Sequence, residues 1–264
     1  MFSTAALDQS LTAARRAAWD AVMGSFVPGM TALEEVVHAA AEALGGGPPR
    51  RVLDLGGGPG VLAERMARRW PSAAVSLLDL DPVLLALARS ALPGRVSVLD
   101  GDLASAGWTA LAGGGHDLIT VVMTLHYLPA ERARAVYAHA RRCLAPGGVL
   151  IVADLMPDDG LPSLMRALDP GAGEAAAELA WAQWWNGIAE ADDLRSLVRS
   201  RAVVLRDRAP AEFTASAAWH AAAAGAAGFA EAGVIWRCGR HAALAAVAGP
   251  GPAHIVTSAL DDGY

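Results

Sequence analysis

The chain has 264 residues, of which 54% are hydrophobic and 18% charged, and its formal net charge is -6. This composition is typical of a folded protein with a sizeable core, and the acidic balance argues against sequence-independent binding to nucleic acid. Only two cysteines occur, Cys143 and Cys238, without metal-ligand spacing. We therefore expect no zinc site, no disulfide framework and a cytoplasmic protein.

The N-terminal region predicts two helices ahead of the first strand. Residues 5–23 have a helical pattern, and a second helix begins at Thr31, where Thr31 and Glu34 have the spacing of a capping box. These helices either cover the ligand edge of a sheet or pack on its side. The start of the chain lacks a signal-peptide pattern, and we find no segment long and apolar enough to cross a membrane.

From Arg51 onward, short apolar runs alternate with helical patterns, which is typical of a parallel sheet with crossover helices. In such sheets ligands bind at the carboxyl ends of the strands. The predicted strands are 52–55, 74–78, 96–99, 118–123, 149–153, 234–236 and 242–247, and the predicted helices are 60–69, 83–91, 105–112, 130–143, 174–188, 191–200 and 217–227.

The stretch Val52 to Gly60, VLDLGGGPG, reads as a strand, a tight glycine turn and a helix start, which can bind a polar ligand. An acid ends the strand, the loop has the form GxGxG, and Val61 displaces the third glycine of the dehydrogenase pattern. With these residues the chain resembles the class I S-adenosylmethionine (SAM) dependent methyltransferases. The resemblance implies that this stretch binds the methionine end of SAM through Asp54, Gly56, Gly57, Gly58 and Gly60.

The resemblance also implies an α/β fold, a Rossmann-like seven-stranded and mostly parallel sheet with an antiparallel last strand, helices on both faces and a helical lid. The loop LAPGG recurs in this family, and the pair Trp219 and His220, the turn AAGF and the segment VIWRCGR are similar to a subset of actinobacterial small-molecule methyltransferases. The expected division is an N-terminal helical cap (1–50), a SAM-binding core (51–154), a lid (155–212), the completion of the core (213–248) and a loose tail (249–264).

Acids follow the second and third strands. A carboxylate at Asp79 can accept hydrogen bonds from both hydroxyls of a ribose, while Asp81 is favoured as the N-cap of the next helix. Asp102 matches the acid that contacts adenine in the family, and Asp100 is a competitor; a plain Asp-Gly turn explains both equally well. By resemblance, Leu80 and Leu103 lie against the adenine ring.

After the fourth strand, the resemblance places Val122 and Met123 near the methionine part of SAM and His126 with Tyr127 at the mouth of the site. An imidazole there is suited to remove a proton from an acceptor, but a packing role explains His126 equally well. His220 is a second candidate base, because the first turn of the last helix is expected to face the ligand edge. A histidine that only bonds neighbouring backbone is the favoured alternative there.

Three tryptophans of the lid, Trp181, Trp184 and Trp185, fall on one helical face. Such a stripe is more often core than ligand wall, but its place in a lid suggests an apolar or aromatic acceptor pocket.

We therefore predict SAM-dependent methyl transfer to a small-molecule acceptor, in specialised metabolism, without metal, nucleic-acid or membrane partners and compatible with a homodimer. The alternatives are a SAM-fold protein without methyl transfer, such as an isomerase, a cyclase or a binding partner, and a nucleic-acid methyltransferase. The last lacks support, because neither (N/D)PPY nor a Pro-Cys nucleophile follows the fourth strand. A metal-dependent enzyme and a nicotinamide dehydrogenase are also disfavoured by the motifs.

Overall fold

The computed structural model describes residues 7–168, 172–208 and 213–249, and the side chains of 172–174 are outside this description. The first two residues of the predicted helix 5–23 and the predicted loose tail beyond Gly249 lie outside the described residues. None of the helices within the described ranges combines the length and hydrophobicity needed to span a bilayer.

Seven strands form one sheet in the order β3-β2-β1-β4-β5-β7-β6. The first five are parallel to their neighbours, and β7 runs antiparallel to both β5 and β6. The predicted fold class is confirmed. The strands are β1 (Arg51–Leu55), β2 (Ala74–Asp79), β3 (Ser97–Asp100), β4 (His116–Val122), β5 (Leu144–Leu155), β6 (Phe229–Cys238) and β7 (His241–Ala248).

Helices cover both faces of the sheet, and the predicted helices are present with shifted ends. The helices are α1 (Gln9–Phe26), α2 (Met30–Leu44), α3 (Val61–Arg69), α4 (Pro82–Ala91), α5 (Trp108–Ala112), α6 (Ala130–Cys143), α7 (Pro162–Ala167), α8 (Ala172–Glu190), α9 (Arg195–Val204) and α10 (Ala217–Ala226).

The predicted capping box at Thr31 is wrong. The helix α2 begins at Met30, its N-cap is Gly29 in the left-handed conformation (φ 79°), and no side chain caps it. Glu34 forms an ion pair with Arg65 of α3 instead. The tight turn after α1 starts the helix one residue early, and a tertiary charge pair takes the acid that the local motif would use.

Buried side chains form three clusters. On one face of the sheet, α5, α6 and α10 pack against the strands, and on the other face α2, α3 and α4 do so. The third cluster joins α1, α4 and α8 through residues such as Val22, Leu84 and Trp184. The helices α1 and α8 are thus packed together next to α4, which follows β2.

Candidate active site

Two adjoining cavities lie at the carboxyl edge of the sheet, where the strand order reverses between β1 and β4. The outer cavity has a volume of about 480 Å³, and the inner cavity, beneath the glycine loop, has a volume of about 100 Å³. The outer volume is within the range of about 300–1,000 Å³ that is usual for small-molecule sites. Both cavities are lined by Trp19, Met23, Gly56, Gly58 and Met123.

Glycines of the loop between β1 and α3 line the two cavities with their main chain. Gly56 has a φ of 69°, and a Cβ at this position would collide with the Thr124 side chain; a Cβ at Gly57 would lie 2.6 Å from Asp54 Oδ2. Glycine is therefore required at both positions, since a side chain would collide with Thr124 at the first and with Asp54 and Leu77 at the second. These close contacts fix the course of the loop along the two cavities.

Asp54, the last but one residue of β1, is 1% exposed. Thr120 donates a hydrogen bond to its Oδ1 at 2.8 Å, and its Oδ2 is buried without a partner among the described residues. Burial, followed by the nearby charge of Asp79, raises the pKa of Asp54 to about 7, against the hydrogen bond from Thr120. An unpaired buried carboxylate oxygen is costly, and a cationic ligand would relieve this cost.

Asp79, at the end of β2, is held by the main chain. Its Oδ2 accepts from the Gly58 N–H at 2.8 Å, and its Oδ1 accepts from the N–H groups of Leu80 and Asp81 at 2.7 and 2.8 Å. Burial raises the pKa of Asp79, while these hydrogen bonds oppose the rise. The hydrogen bond from Gly58 thus links the glycine loop to the end of β2. The carboxylate also lines the outer cavity together with Leu80.

Two arginines, Arg201 of α9 and Arg208 shortly after that helix, bind the acids at the edge of the outer cavity. Arg201 donates to Asp81 Oδ2 at 2.5 Å, and Arg208 forms an ion pair with Asp102. Asp81 also caps α4, as expected, by accepting from the Val83 N–H at 2.9 Å. Both Asp102 and Leu103 line the outer cavity. The sequence predicted the acids but contained no signal for their arginine partners, which lie over 100 residues away.

At the end of β4 the chain bends sharply into the cavities. Met123 has a φ of 49°, which is a strained conformation for a residue other than glycine, and its N–H is held by the Ala153 carbonyl at 2.8 Å. Met123 lines both cavities, and Val122 lines the inner one. Strain of this kind concentrates at functional sites, where the surrounding structure enforces it.

A histidine and an aspartate meet at the mouth of the outer cavity. The Nδ1 of His126 lies 2.8 Å from Asp154 Oδ1, and the His126 N–H donates to Asp154 Oδ2 at 3.3 Å. Burial opposes the ionisation of Asp154, but the hydrogen bonds from His126 and Leu155 outweigh it and lower the pKa of this carboxyl. Tyr127 stacks on His126 with ring centroids 4.0 Å apart, and both line the cavity.

Asp154 was not among the predicted site residues. A signal was available, because β4 and β5 are adjacent parallel strands whose carboxyl ends meet at one edge. The pairing leaves His126 Nε2 without a hydrogen bond to any described residue. A carboxylate on one ring nitrogen orients the ring and stabilises its protonated form, which suits the pair to proton transfer.

The structure does not bring His220 to this cavity, although α10 begins beside the carboxyl end of β5, where the Ala217 N–H donates to the Pro157 carbonyl at 3.2 Å. His220 is 2% exposed, and its Nδ1 lies 2.8 Å from the Tyr137 hydroxyl of α6. Burial lowers the pKa of His220 to about 4. The helix α10 is rich in alanine, so Trp219 and His220 are its only large side chains among the described residues. Trp219 contacts the ring of Phe213, and both helices α10 and α6 belong to the same buried cluster.

The tryptophan stripe of α8 serves both of the roles that the sequence left open. Trp184 is 8% exposed, and its indole N–H donates to the Arg15 carbonyl at 3.0 Å, so it belongs to the packing between α8 and α1. Trp181 and Trp185 line the outer cavity. The Arg201 guanidinium lies 3.7 Å from the centre of the Trp185 ring, in a cation–π contact.

The first helix contributes residues that sequence reasoning missed. Arg16 is 9% exposed and donates to the carbonyls of Pro59 and Gly60 at 2.8 and 3.0 Å, and it forms an ion pair with Glu64. Trp19 lines both cavities and contacts Trp181 and Trp184. The helix α1 therefore lies over the glycine loop and fastens its last residues, which a helical pattern alone does not reveal.

Comparison with known proteins identifies the central part of the chain. A family model described as a methyltransferase domain matches residues 52–148. A trans-aconitate 2-methyltransferase of Acidovorax sp. (strain JS42) is 32% identical over 174 residues, which cover 66% of this chain and 58% of that protein. The chain thus spans little more than half the length of this relative.

Solved structures share the fold. An O-methyltransferase family protein from Burkholderia thailandensis superposes with a TM-score of 0.57 at 24% identity, over 82% of this chain and 56% of that one. Human N-acetylserotonin methyltransferase in complex with SAM gives a TM-score of 0.52 at 16% identity, over 83% of this chain and 55% of that one.

The matched domain contains the glycine loop, the acids at the strand ends and His126, and the seven-stranded sheet with its antiparallel β7 surrounds it. The unpaired oxygen of Asp54 fits a ligand that carries a cationic hydrogen-bond donor, such as the ammonium group of SAM. Residues 52–148 thus match a methyltransferase domain, and the described residues have the Rossmann-like fold that SAM-dependent methyltransferases share.

Proposed function

We propose that this protein transfers a methyl group from SAM to a hydroxyl oxygen of a small aromatic acceptor. The observation that carries the proposal is the His126–Asp154 pair at the mouth of the outer cavity, at a distance of 2.8 Å. Methylation of a hydroxyl requires that its proton leaves, and a histidine held by a carboxylate is suited to accept it. The choice of an oxygen over a nitrogen or carbon acceptor rests on this pair.

The proposed cofactor site uses the residues that the sequence predicted. The glycine loop would hold the methionine end, Asp79 the ribose hydroxyls and Asp102 the adenine amino group, with Leu80 and Leu103 beside the ring. Gly56, Gly58 and the named residues of the later strands line the outer cavity, Asp54 and Gly57 line the inner one, and Gly60 lines neither. Bound SAM supplies the methyl group on a sulfonium, which is a good leaving group. The carboxylate of Asp79, which accepts hydrogen bonds from main-chain N–H groups, complements that cation.

In the proposed reaction His126 removes the hydroxyl proton through Nε2, and the charge of Asp154 stabilises the imidazolium that results. Tyr127, whose ring packs on His126, fixes one side of the imidazole. The lid, the N-terminal cap and the core hold the acceptor in line and exclude water, which accounts for most of the acceleration in reactions with a good leaving group. His220 has no part in this step, because it lies in the core with Tyr137.

The aromatic acceptor is proposed from the wall of the outer cavity. Trp19, Phe26, Trp181 and Trp185 form one side of it. The two lid arginines are already paired with Asp81 and Asp102, so they offer no excess positive charge to a polyanion. Trans-aconitate, the substrate in the name of the relatives, is a tricarboxylate and fits this wall less well than a neutral aromatic compound.

The cofactor part of the proposal is tested by calorimetric titration with S-adenosylhomocysteine, with NAD as the control ligand. We expect binding of the former alone. In the Asp79→Ala variant the affinity should fall about tenfold to hundredfold, because ribose hydroxyls lose their acceptor at a loss of about 1–3 kcal/mol. Normal binding by this variant would refute the assignment of Asp79.

The acceptor part is tested by incubating the protein and SAM with phenols, aromatic amines and trans-aconitate, and by following the release of S-adenosylhomocysteine. Turnover of phenols supports the proposal. Turnover of trans-aconitate alone would replace it with carboxylate methylation, and binding of the cofactor without any turnover would favour a SAM-fold protein that does not transfer methyl groups. A homodimer and a cytoplasmic location remain predictions.

A further inference from the structure

The helix α9 and the residues that follow it lie against the outer cavity. We call Arg195 to Arg208 the α9 segment, and its residues Arg201, Leu205 and Arg208 line the cavity. None of the residues from Arg195 to Val204 is buried. Elements that bury little apolar surface open locally at a low cost in free energy. Polar contacts therefore carry much of the attachment of this segment to the core.

Two ion pairs attach the α9 segment to acids at the cavity, and they differ in exposure. Arg201 donates to Asp81, whose side chain is 9% exposed. The pair of Arg208 and Asp102 is more open, with exposed fractions of 35% and 30%. Because solvent and salt screen exposed pairs, such pairs contribute little to stability. The contact between Arg208 and Asp102 is therefore the one that opens more easily.

The carboxylate of Asp102 is fully engaged by the protein itself. Its Oδ1 accepts from the Ala104 N–H at 2.8 Å, and its Oδ2 accepts from the Arg208 guanidinium. Asp102 is also the acid that the proposed function assigns to the adenine amino group, and Arg208 lines the same cavity. An arriving adenine and the guanidinium of Arg208 therefore compete for one carboxylate.

An independent observation shows that the position of the α9 segment over the cavity carries a cost. The Arg201 guanidinium stacks on Trp185, and the indole N–H of Trp185 is buried without a partner among the described residues. A buried N–H group without an acceptor is unfavourable compared with one that is hydrated. A shift of the segment away from the cavity would admit water to this group, which favours opening.

We propose that the ion pair between Arg208 and Asp102 is autoinhibitory. It holds the α9 segment over the outer cavity, and it must open before Asp102 accepts the adenine amino group. This inference rests on the proposed function, and it makes entry of the cofactor depend on a contact within the chain. The alternative is that Arg208 is a fixed part of the cavity wall and supports the bound cofactor.

The two roles of Arg208 predict opposite effects of the Arg208→Met variant. If the ion pair competes with adenine, its removal should raise the affinity for S-adenosylhomocysteine about twofold to fivefold, which corresponds to the contribution of an exposed ion pair. Calorimetric titration measures the affinity. Unchanged or weaker binding by the variant would overturn the inference.

The matched control is Arg195→Met, which makes the same change of charge in the same segment. Arg195 forms an exposed ion pair with Asp192 and does not line the outer cavity. This variant should bind S-adenosylhomocysteine as the wild type does. If it raised the affinity as much as Arg208→Met, the gain would come from the net charge or from a loosened helix, and the inference would be wrong.

A second ligand tests whether the competition concerns the adenine amino group. S-inosylhomocysteine differs from S-adenosylhomocysteine in that a carbonyl oxygen replaces this group, so it has no amino donor for Asp102. Arg208→Met should therefore leave its affinity unchanged or lower it. An equal gain for both ligands would indicate a wider cavity and overturn the inference. The failure of the wild type to bind S-adenosylhomocysteine would instead contradict the proposed function itself.

A measurement on the unaltered protein avoids any folding defect of the variants. Raising the ionic strength from about 0.05 M to about 0.5 M screens the exposed pair of Arg208 and Asp102. The affinity for S-adenosylhomocysteine relative to S-inosylhomocysteine should therefore rise in the wild type and stay constant in Arg208→Met. Because the two ligands have the same charged groups, direct effects of salt on them cancel. A ratio that does not change with salt in the wild type would overturn the inference.

Discussion

Two histidines of this protein are each hydrogen-bonded through Nδ1 at 2.8 Å, yet their surroundings give them different chemistry. His126 meets the carboxylate of Asp154 at the mouth of a cavity, whereas His220 meets the hydroxyl of Tyr137 in the core. The ring of His126 lines the outer cavity, whereas burial lowers the pKa of His220 to about 4. The partner and the burial, and not the residue type, decide which histidine can act as a base.

The largest effect is expected from His126→Gln. Loss of the proposed general base should lower kcat about 10²- to 10⁴-fold, with S-adenosylhomocysteine still bound. The measurement is the rate of release of S-adenosylhomocysteine with the best phenolic acceptor. A variant with wild-type kcat would show that proximity alone accounts for the reaction and would remove the functional difference between the two histidines.

His220 should control part of the acid sensitivity of the fold. Its folded pKa of about 4 lies below the ordinary value of 6.5, so the unfolded chain binds a proton that the folded chain does not as the pH falls through this range. The neutral ring makes its full contribution to the free energy of unfolding above about pH 6.5. This contribution, on the order of 3 kcal/mol, is lost as the pH falls to about 4.

This loss is measured by urea unfolding at about pH 7 and about pH 4.5. The His220→Gln variant should lose less free energy of unfolding than the wild type between these two values. The other histidines with pKa values lowered by partial or full burial, His38, His116, His139 and His241, act in both proteins, so the difference between the two isolates His220. Parallel losses in both proteins would argue against a neutral buried ring.

Asp154→Asn should lower kcat about tenfold to hundredfold, because the amide cannot stabilise a protonated His126 as the carboxylate does, a difference of about 1.5–3 kcal/mol. The KM for the acceptor should change little. The double variant with His126→Gln should be no slower than His126→Gln alone, since Asp154 acts through that ring. Additive losses would indicate a structural role for Asp154.

The smallest effect on activity is expected from Tyr137→Phe. This change removes the partner of His220 and should reduce the free energy of unfolding by about 1–3 kcal/mol, but kcat should stay within about twofold of the wild type. Urea unfolding and the turnover assay measure the two quantities. A large loss of kcat at unchanged stability would connect the buried pair to the reaction and remove the contrast with His126.

The local features of the site could be predicted because they depend on neighbours in the chain. The apolar strand, the acid and the glycines of residues 52–60 specify a strand, a turn and a helix start within nine residues. The acid Asp79 was found at a strand end and Asp81 at a helix start for the same reason. Hydrophobic periodicity and turn chemistry act over a few residues, so the sequence alone was sufficient to predict them.

The pairings that give these residues their roles depend on the tertiary structure. Arg65 meets Asp20 and Glu34 across 45 and 31 residues, and Arg208 meets Asp102 across 106. The sequence determined the sheet, the glycine loop and the candidate acids and histidines. Only the tertiary structure decided that His126 reaches Asp154 and that His220 is buried, because contacts between distant segments depend on how helices and strands pack, and no local pattern records that.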